Sequence, residues 1–220
     1  MKPHRLVVAF LLLGVSQLLI NAQNKHPSLE GSAPRGWLIL PRGVSGSAIS
    51  AESTEGDLIQ TYGTENVILH DVDLGEGETE QGTELFPADS LRRVDILWKD
   101  PIRKRAPKRV QISGAKSLWT TVHSISLGTT LKQLEQWNRK PFRLAGFAFD
   151  YSGTVVSWNH GALEQELDSP GRVILRLEPS QDQSQQPDYR SVLGDGSFSS
   201  GHPAMQRLNP FVYELIWVFP

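Results

Sequence analysis

The stretch RLAGFAFDYSGTVVSW, Arg143–Trp158, places an aspartate directly beside a tyrosine, Asp150 and Tyr151. A carboxylate beside a phenol could act as a general base or a nucleophile, provided that a second acid or base lies within reach. The candidate partners follow in the sequence ALEQELD: Glu164, Glu166 and Asp168. A hydrolase that uses Asp150 with Glu164 or Glu166 is therefore one hypothesis for this chain.

The same pair also suits the corner of a β-hairpin. Ser152 and Gly153 follow it and supply turn geometry, with a positive φ at the glycine. Asp150 would then bond to its own neighbouring backbone, while Tyr151 packs its ring. This interpretation needs no partner residue, so we favour it and predict no catalytic residue in the stretch.

The acidic stretch HDVDLGEGETE is a candidate calcium site, because carboxylate oxygens are the ligands that a hard cation needs. Its candidate ligands and turn residue are Asp71, Asp73, Gly75, Glu76 and Glu78. Their spacing does not match an EF-hand loop, and on a strand the two aspartates would share the solvent face. We therefore predict no metal site and no cofactor.

The basic segment KDPIRKRAPKRV concentrates six cationic side chains between two predicted strands. They are Lys99, Arg103, Lys104, Arg105, Lys108 and Arg109. Such a cluster could hold an acidic partner or a phosphate-bearing surface. Pro101, Pro107 and the lack of interleaved aromatics favour a solvated loop, near which the acidic loop from Glu76 to Glu84 could lie.

The standard catalytic signatures are missing from the sequence. There is no Gly-x-Ser-x-Gly elbow, Walker loop or Gly-x-Gly-x-x-Gly fingerprint, and no pair of histidines has metal-ligand spacing. His123 lies among apolar neighbours and is more typical of a satisfied strand residue than of a base. The absence of cysteine excludes disulfides, thiol catalysis and thiolate metal sites.

Both halves of the chain predict one short helix followed by three strands. Thr54 with Asp57, and Thr130 with Gln133, have capping-box spacing, and Gly63 is a plausible end for the first helix. Alternating or apolar runs then predict strands at NVILHDVDL, the end of the acidic loop, LRRVDILW, FRLAGFAFD, TVVSW and RVILRL. The fold class is therefore α+β, with short helices packed on an antiparallel sheet, and possibly two tandem halves that form an internal repeat.

The chain is predicted to divide into six segments. These are a signal peptide over 1–22, a flexible leader over 23–36, a first half over 37–110, a second half over 111–177, a polar low-complexity loop over 178–201, and a C-terminal turn and strand over 202–220. The final run FVYELIWVF is so apolar that its strand must be docked in a sheet.

The first residues predict export. Lys2 and Arg5 precede an apolar run, Leu6 to Val15, and Asn21-Ala22 provides a small-residue exit, which is the layout of a signal peptide. Without those two basic residues the chain has 20 Lys and Arg against 24 Asp and Glu, a formal charge of −4. We therefore expect no nucleic-acid partner and no membrane insertion after cleavage. A cysteine-free exported chain favours a bacterial source and a periplasmic or extracellular location.

The segment Leu127–Leu163 follows a pattern of Gly-Thr-x-Leu, a helix, Asn-Gly-Lys-Pro-Phe, Gly-Phe-x-x-Asp-Tyr-Gly-Gly and a tryptophan. The matching residues are Gly128, Thr129, Leu131, Asn138, Lys140, Pro141, Phe142, Gly146, Phe147, Asp150, Tyr151, Gly153 and Trp158. With this pattern the chain resembles a family of uncharacterised bacterial exported proteins. Arg139 and Ser152 depart from it, because each stands where the pattern has glycine.

The resemblance extends to the first half, through Tyr62-Gly63, the Gly75-Glu76-Gly77 loop, Gly82-Thr83 and VDILWKD. More distantly, a short helix that feeds a small antiparallel sheet is similar to the β-lactamase-inhibitor-protein and outer-membrane assembly lipoprotein folds. Those folds are protein-binding modules, and the similarity at the level of the fold implies binding rather than any activity.

The leading hypothesis is a non-catalytic binding or interaction module of the bacterial envelope, with an envelope protein as a possible partner. Aromatic side chains on an exposed sheet face would form the contact surface. The predicted binding residues are Trp137, Phe142, Asp150, Tyr151 and Trp158. The hydrolase described above is the alternative, and a calcium- or anion-responsive protein that uses the charged loops is a third hypothesis.

Overall fold

The computed structural model describes residues 38–39, 49–75, 77–114, 116–121, 124–149, 151–167 and 171–220. Their strands form a six-stranded antiparallel sheet, a three-stranded antiparallel sheet and a two-stranded parallel pair. Short helices lie between these strands along the chain. The predicted α+β class is therefore confirmed.

The helices are α1 (Glu55–Tyr62), α2 (Leu131–Asn138), α3 (Glu164–Leu167), α4 (Pro187–Arg190) and α5 (Pro203–Leu208). The strands are β1 (Leu38–Ile39), β2 (Val67–Gly75), β3 (Glu78–Leu85), β4 (Val94–Asp100), β5 (Arg105–Ser113), β6 (Thr120–Thr121), β7 (Arg143–Ala145), β8 (Val155–Ser157), β9 (Arg172–Glu178), β10 (Ser197–Ser199) and β11 (Phe211–Val218).

Helices α1 and α2 both begin at the predicted capping boxes. The Thr54 hydroxyl accepts from the Asp57 backbone N–H at 3.1 Å, and the Asp57 carboxylate accepts from the Thr54 backbone N–H at 3.0 Å. Thr130 and Gln133 make the same reciprocal pair at the start of α2. These bonds satisfy backbone donors that a helix N-terminus leaves unpaired, so the boundaries follow from local chemistry.

One face of the six-stranded sheet forms the main hydrophobic core. Side chains two residues apart on a strand point to the same face, and the buried ones here are Val94, Ile96, Trp98, Val110, Ile112, Val173, Leu175, Leu177, Leu215 and Trp217. The helices cover this face with Leu58, Leu131, Leu134 and Leu208. Full burial of each leucine stabilises the fold by about 1.5–3 kcal/mol relative to exposure.

The strand order of the large sheet is β2-β3-β4-β5-β11-β9. The C-terminal strand β11 pairs with β5 on one side and with β9 on the other, so the predicted docking of this strand is confirmed. Because β11 lies between strands of the two predicted halves, it joins them in one sheet. Strands β7 and β8 instead pair with β10 in the smaller sheet, so the two halves differ in arrangement and an internal repeat is not supported.

The segment over 178–201 is not the featureless polar loop that its composition predicts. It contains a 3₁₀ turn at Gln181–Gln183, helix α4 and strand β10. The rings of Tyr189 and Phe147 stack with centroids 5.7 Å apart, and Val192 is fully buried. A few apolar anchors within a polar run therefore hold it against the core.

The predicted signal peptide over 1–22 and leader over 23–36 lie outside the described residues. Among the helices that the structure does describe, none has the length and apolar character needed to cross a bilayer.

Candidate functional site

The second face of the six-stranded sheet carries polar side chains from all six strands. They are His70, Glu84, Asp95, Gln111, Glu214 and Arg176, and we call this surface the polar face. Glu84 lies directly opposite Asp95, Asp95 lies opposite Gln111, and Glu214 lies opposite Arg176. Such cross-strand neighbours have Cβ atoms about 5 Å apart, so Glu84, Asp95 and Gln111 form one group of neighbours. Glu214 and Arg176 form a second group, because Gln111 lies opposite Ile216 and not opposite Glu214.

The tip of the β2–β3 hairpin folds over this face. The Gln111 side-chain amide donates to the Asp73 carbonyl at 3.4 Å, and the Lys108 ammonium lies 3.0 Å from the Glu80 carboxylate. Two strands separate β2 from β5, so a flat sheet would keep those strands about 14 Å apart. Residues 71–75 and 77–80, which we call the hairpin arm, therefore cover part of the polar face.

A small apolar patch lies beneath the arm and outside the main core. Val72, Leu97 and Ile216 are buried there. A Cβ on Gly82 would lie 2.4 Å from the Ile96 carbonyl and 2.9 Å from a Val72 methyl group, so only glycine fits at this position. The patch places apolar side chains beside the charged groups of the polar face, and charges in such a surrounding interact more strongly than in water.

Three potential ligand atoms meet at one end of the polar face. His70 Nε2 lies 3.9 Å from Asp95 Oδ1, and the ligand atoms of His70, Glu84 and Asp95 all lie within 4.8 Å of one another. The carboxyl side chains of Glu84 and Asp95 are only 11% and 16% exposed, whereas the imidazole is 42% exposed. Asp95 Oδ1 is buried without a hydrogen-bond partner.

The electrostatics of this cluster leave negative charge in excess. Burial raises the pKa of Asp95 above its ordinary value, and the neighbouring Glu84 raises it further, while His70 and Arg93 oppose the rise. The Arg93 guanidinium is 3.7 Å from Glu84, beyond hydrogen-bond length. A cation between the three side chains would relieve this imbalance, and one imidazole with two carboxylates is a donor set for a divalent transition metal.

A second charged cluster occupies the other end of the polar face. Arg176 donates to Glu214 at 3.0 Å, and both side chains are largely buried. Burial raises the pKa of the Glu214 carboxyl, while Arg176 and Arg109 oppose that rise. Burial also lowers the pKa of Arg109, whose Nε and Nη2 atoms have no hydrogen-bond partner.

The predicted binding residues do not form one surface. Phe142 and Trp158 are buried and contact each other with ring centroids 5.1 Å apart. They belong to the core and cannot contact a partner, which corrects their assignment as surface residues. Trp137 and Tyr151 are 36% and 66% exposed, and Asp150 lies outside the described residues.

The turn after β7 differs in detail from the predicted hairpin corner. The Tyr151 ring is exposed to solvent instead of packing, and its backbone φ of 61° lies in the left-handed region. The Ser152 hydroxyl accepts from the Ala148 N–H at 3.2 Å and holds the loop. Gly153 has the expected positive φ, at 65°, and strands β7 and β8 pair antiparallel on either side.

The proposed hydrolytic partners and the proposed calcium ligands do not assemble in the described residues. The Glu164 carboxylate accepts from the His160 N–H at 2.6 Å, so it is engaged within its own turn. The Asp73 carboxylate accepts from the Gly75 N–H at 2.8 Å and shapes the hairpin turn. Asp71 and Glu78 are exposed on the hairpin arm, and four further candidates lie outside the described residues: Glu76, His123, Asp168 and the side chain of Glu166.

The basic segment is mostly a strand with paired charges rather than a solvated loop. Lys104 lies 2.7 Å from Glu55, and Arg103 lies 3.2 Å from Asp100. Lys99 bonds to the carbonyl of Pro220. The expected closeness of the acidic and basic segments is confirmed by the contact between Lys108 and Glu80 described above.

Sequence reasoning missed His70, Glu84 and Asp95 because 11 to 14 residues separate them along the chain. Strand pairing brings them together, and neither spacing nor motif reveals that pairing. The usable indication is a charge inside a strand whose neighbours are buried, as with Glu84 in TELF, Asp95 in VDILW and Glu214 in YELIW.

Comparison with known proteins adds no assignment, since no family model, curated protein or solved structure matches this chain. The resemblance to exported bacterial proteins therefore stays a prediction.

Proposed function

We propose that this chain is a non-catalytic binding protein, exported into the bacterial envelope, that holds a divalent transition-metal ion on its polar face. The observation that carries the proposal is the convergence of His70, Glu84 and Asp95, with the buried Asp95 Oδ1 atom left without a partner. A buried carboxylate oxygen without a hydrogen bond is destabilising, and metal coordination removes that cost.

The distances suit a metal after small side-chain adjustments. Two ligands that each lie about 2.1 Å from a zinc ion cannot be more than about 4.2 Å apart, and the 3.9 Å between His70 Nε2 and Asp95 Oδ1 meets this limit. Imidazole nitrogen favours zinc over calcium, which prefers six to eight oxygen ligands, and the two carboxylates are ligands that manganese also accepts. The exposed imidazole gives the ion a route from solvent.

A metal titration tests the proposal. We expect micromolar Zn²⁺ or Mn²⁺ to raise the melting temperature of the untagged mature protein, and Ca²⁺ to have little effect. Metal at about 100 times its Kd would stabilise the protein by about 2.7 kcal/mol. Asp95→Asn should abolish the shift, whereas Asp71→Asn, an exposed change on the hairpin arm outside the cluster, should retain it.

Two outcomes would count against a metal site. One is an unchanged melting temperature together with no heat of binding in calorimetry. The other is an equal shift in the wild-type protein and in Asp95→Asn, because the metal would then bind elsewhere. Cell fractionation of the full chain and of a chain without residues 1–22 tests export separately.

Contact with an envelope protein is a second candidate function. It is favoured by Phe149 and Tyr151, which are 57% and 66% exposed within one turn, and by the partly exposed Leu193. Phe147, close to this turn, makes a backbone bridge with Leu193, so the three side chains share one region. A partner captured by the mature protein should be lost by the Phe149→Ala, Tyr151→Ala double variant and kept by Trp137→Ala. Equal capture by both variants would exclude this surface.

A further inference from the structure

Arg109 is the most anomalous charged side chain on the polar face. It lies on β5, two residues before Gln111, and its Nε and Nη2 atoms are buried without hydrogen-bond partners. These two nitrogens form the side edge of the guanidinium, from which two parallel N–H groups bind a carboxylate or phosphate in bidentate fashion. The two unpaired nitrogens of Arg109 are therefore the complete pair of donors that such a bidentate contact requires.

The carboxylates around Arg109 are already engaged. Glu214 accepts from Arg176, Glu80 pairs with Lys108, and the Asp73 carboxylate accepts a backbone N–H of its own turn. Arg176 also has a buried Nε without a partner. The charges at this end therefore balance, with Arg109, Arg176 and Lys108 against Glu214, Glu80 and Asp73, but none of these carboxylates bonds to the two buried nitrogens of Arg109.

We propose that Arg109 is the receptor for an oxyanion, a carboxylate or phosphate group of a small molecule. An arginine keeps its charge at all accessible pH values, so it cannot escape the cost of burial by losing its proton. A bidentate oxyanion would satisfy both nitrogens. Glu214 accepts from Arg176 and so does not compete for the ligand.

The hairpin arm controls access to this receptor. Its two contacts with β5 are the long bond from Gln111 to the Asp73 carbonyl and the partly exposed pair between Lys108 and Glu80. Exposed ion pairs and long hydrogen bonds contribute little free energy, so the main cost of lifting the arm is the exposure of the buried Val72 side chain. The oxyanion enters when the arm opens, and the arm closes over it.

This inference is independent of the proposed metal. The oxyanion receptor is a side chain of β5, whereas the cation cluster uses β2, β3 and β4. The Asp95→Asn variant should therefore bind oxyanions although it cannot hold a metal. An experiment in that background separates the failure of one proposal from the failure of the other.

The test measures binding of phosphate, acetate and succinate to Asp95→Asn by calorimetry, at ionic strength held constant with chloride. Metal is removed by resin, because a soluble chelator is itself a polycarboxylate. In parallel, NMR follows the arginine Nε–H resonances. We expect one ligand class to bind with one site and to shift the Arg109 Nε–H signal. Phosphate and the carboxylates are separate arms, so the preferred oxyanion is identified.

Variants on the same strand complete the test. Arg109→Lys retains the positive charge but loses the two parallel N–H donors, and should weaken oxyanion binding at least tenfold. Arg105→Lys, an exposed change on the same strand, should bind like its parent. The proposal is overturned if no oxyanion shifts the Arg109 signal, or if Arg109→Lys binds as tightly as Arg105→Lys.

Discussion

At the residue scale, Asp95 shows how a binding group can oppose folding. In the unfolded chain its carboxyl ionises near its ordinary pKa of 3.8, whereas in the folded protein burial raises that pKa. Between the two values the folded state holds more protons than the unfolded state, so the free energy of unfolding falls as pH rises. A metal-free protein therefore carries some of this penalty at any pH above 3.8, and all of it above the folded pKa.

Asp95→Asn should therefore stabilise the metal-free protein at pH 7. The amide keeps the shape of the carboxyl without its charge, and we expect a melting temperature about 2–4 °C higher, the shift that ~1 kcal/mol gives in a domain of this size. The gain should shrink as the pH falls from the raised folded pKa towards 3.8, and little of it should remain below that value, where the carboxyl is protonated in both states. Calorimetry from pH 3 to 8 measures this, and a lower melting temperature for the variant at pH 7 would contradict it.

A buried amide makes a complementary residue-scale prediction. Asn138 is fully buried, donates to the carbonyls of Lys140 and Trp158, and accepts from the Leu163 N–H at 3.2 Å. Asn138→Ala should destabilise the protein by about 3 kcal/mol, because it leaves several buried groups unpaired. Asn159→Ala, which removes two exposed side-chain bonds at a position with φ of 52°, should cost only about 1 kcal/mol. Urea unfolding compares them, and similar costs would refute the assigned role of Asn138.

At the element scale, the close approach of the β7–β8 turn to β9 depends on Gly153. A Cβ there would lie 1.8 Å from the Leu177 carbonyl, and φ is +65°. Gly153→Ala should cost at least ~3 kcal/mol, since the turn must separate from β9. Gly77→Ala has a similar φ of +78° but nothing within 4 Å, so it should cost only ~1 kcal/mol. If urea titrations gave the two variants an equal loss of unfolding free energy, the close contact between Gly153 and Leu177 would be unimportant.

The elements also show what could be predicted from sequence. Both capping boxes lie within four residues, so Thr54 and Thr130 mark their helices by local chemistry alone. The alternation in VDILW likewise identifies β4 and its buried face. The order of strands has no such local origin, because β11 joins β5 and β9 across about a hundred residues and about thirty residues. The candidate site depends on that order, and so its residues could not be assembled in advance.

At the scale of the whole molecule, the shared strand β11 should make the predicted halves unfold together. Its Leu215 is fully buried and lies opposite Ile112 of β5 and Leu175 of β9. A separate repeat could lose its fold alone, whereas the loss of β11, which pairs on both sides next to the edge strand β9, exposes both β5 and β9. The expected behaviour is a single cooperative transition.

Native-state hydrogen exchange tests this cooperativity directly. Leu215→Ala should lower the free energy of unfolding by about 3 kcal/mol, as expected for a large-to-small change in a core. The same decrease should appear in the exchange of protected amides in β4 and in β9, since both sides of the sheet open in one event. Ile102→Ala, at a side chain that is 92% exposed, should change neither the free energy of unfolding nor the exchange of the protected amides. A decrease confined to β9 would mean that the first four strands of the large sheet fold as an independent unit, and that β11 only adds to them.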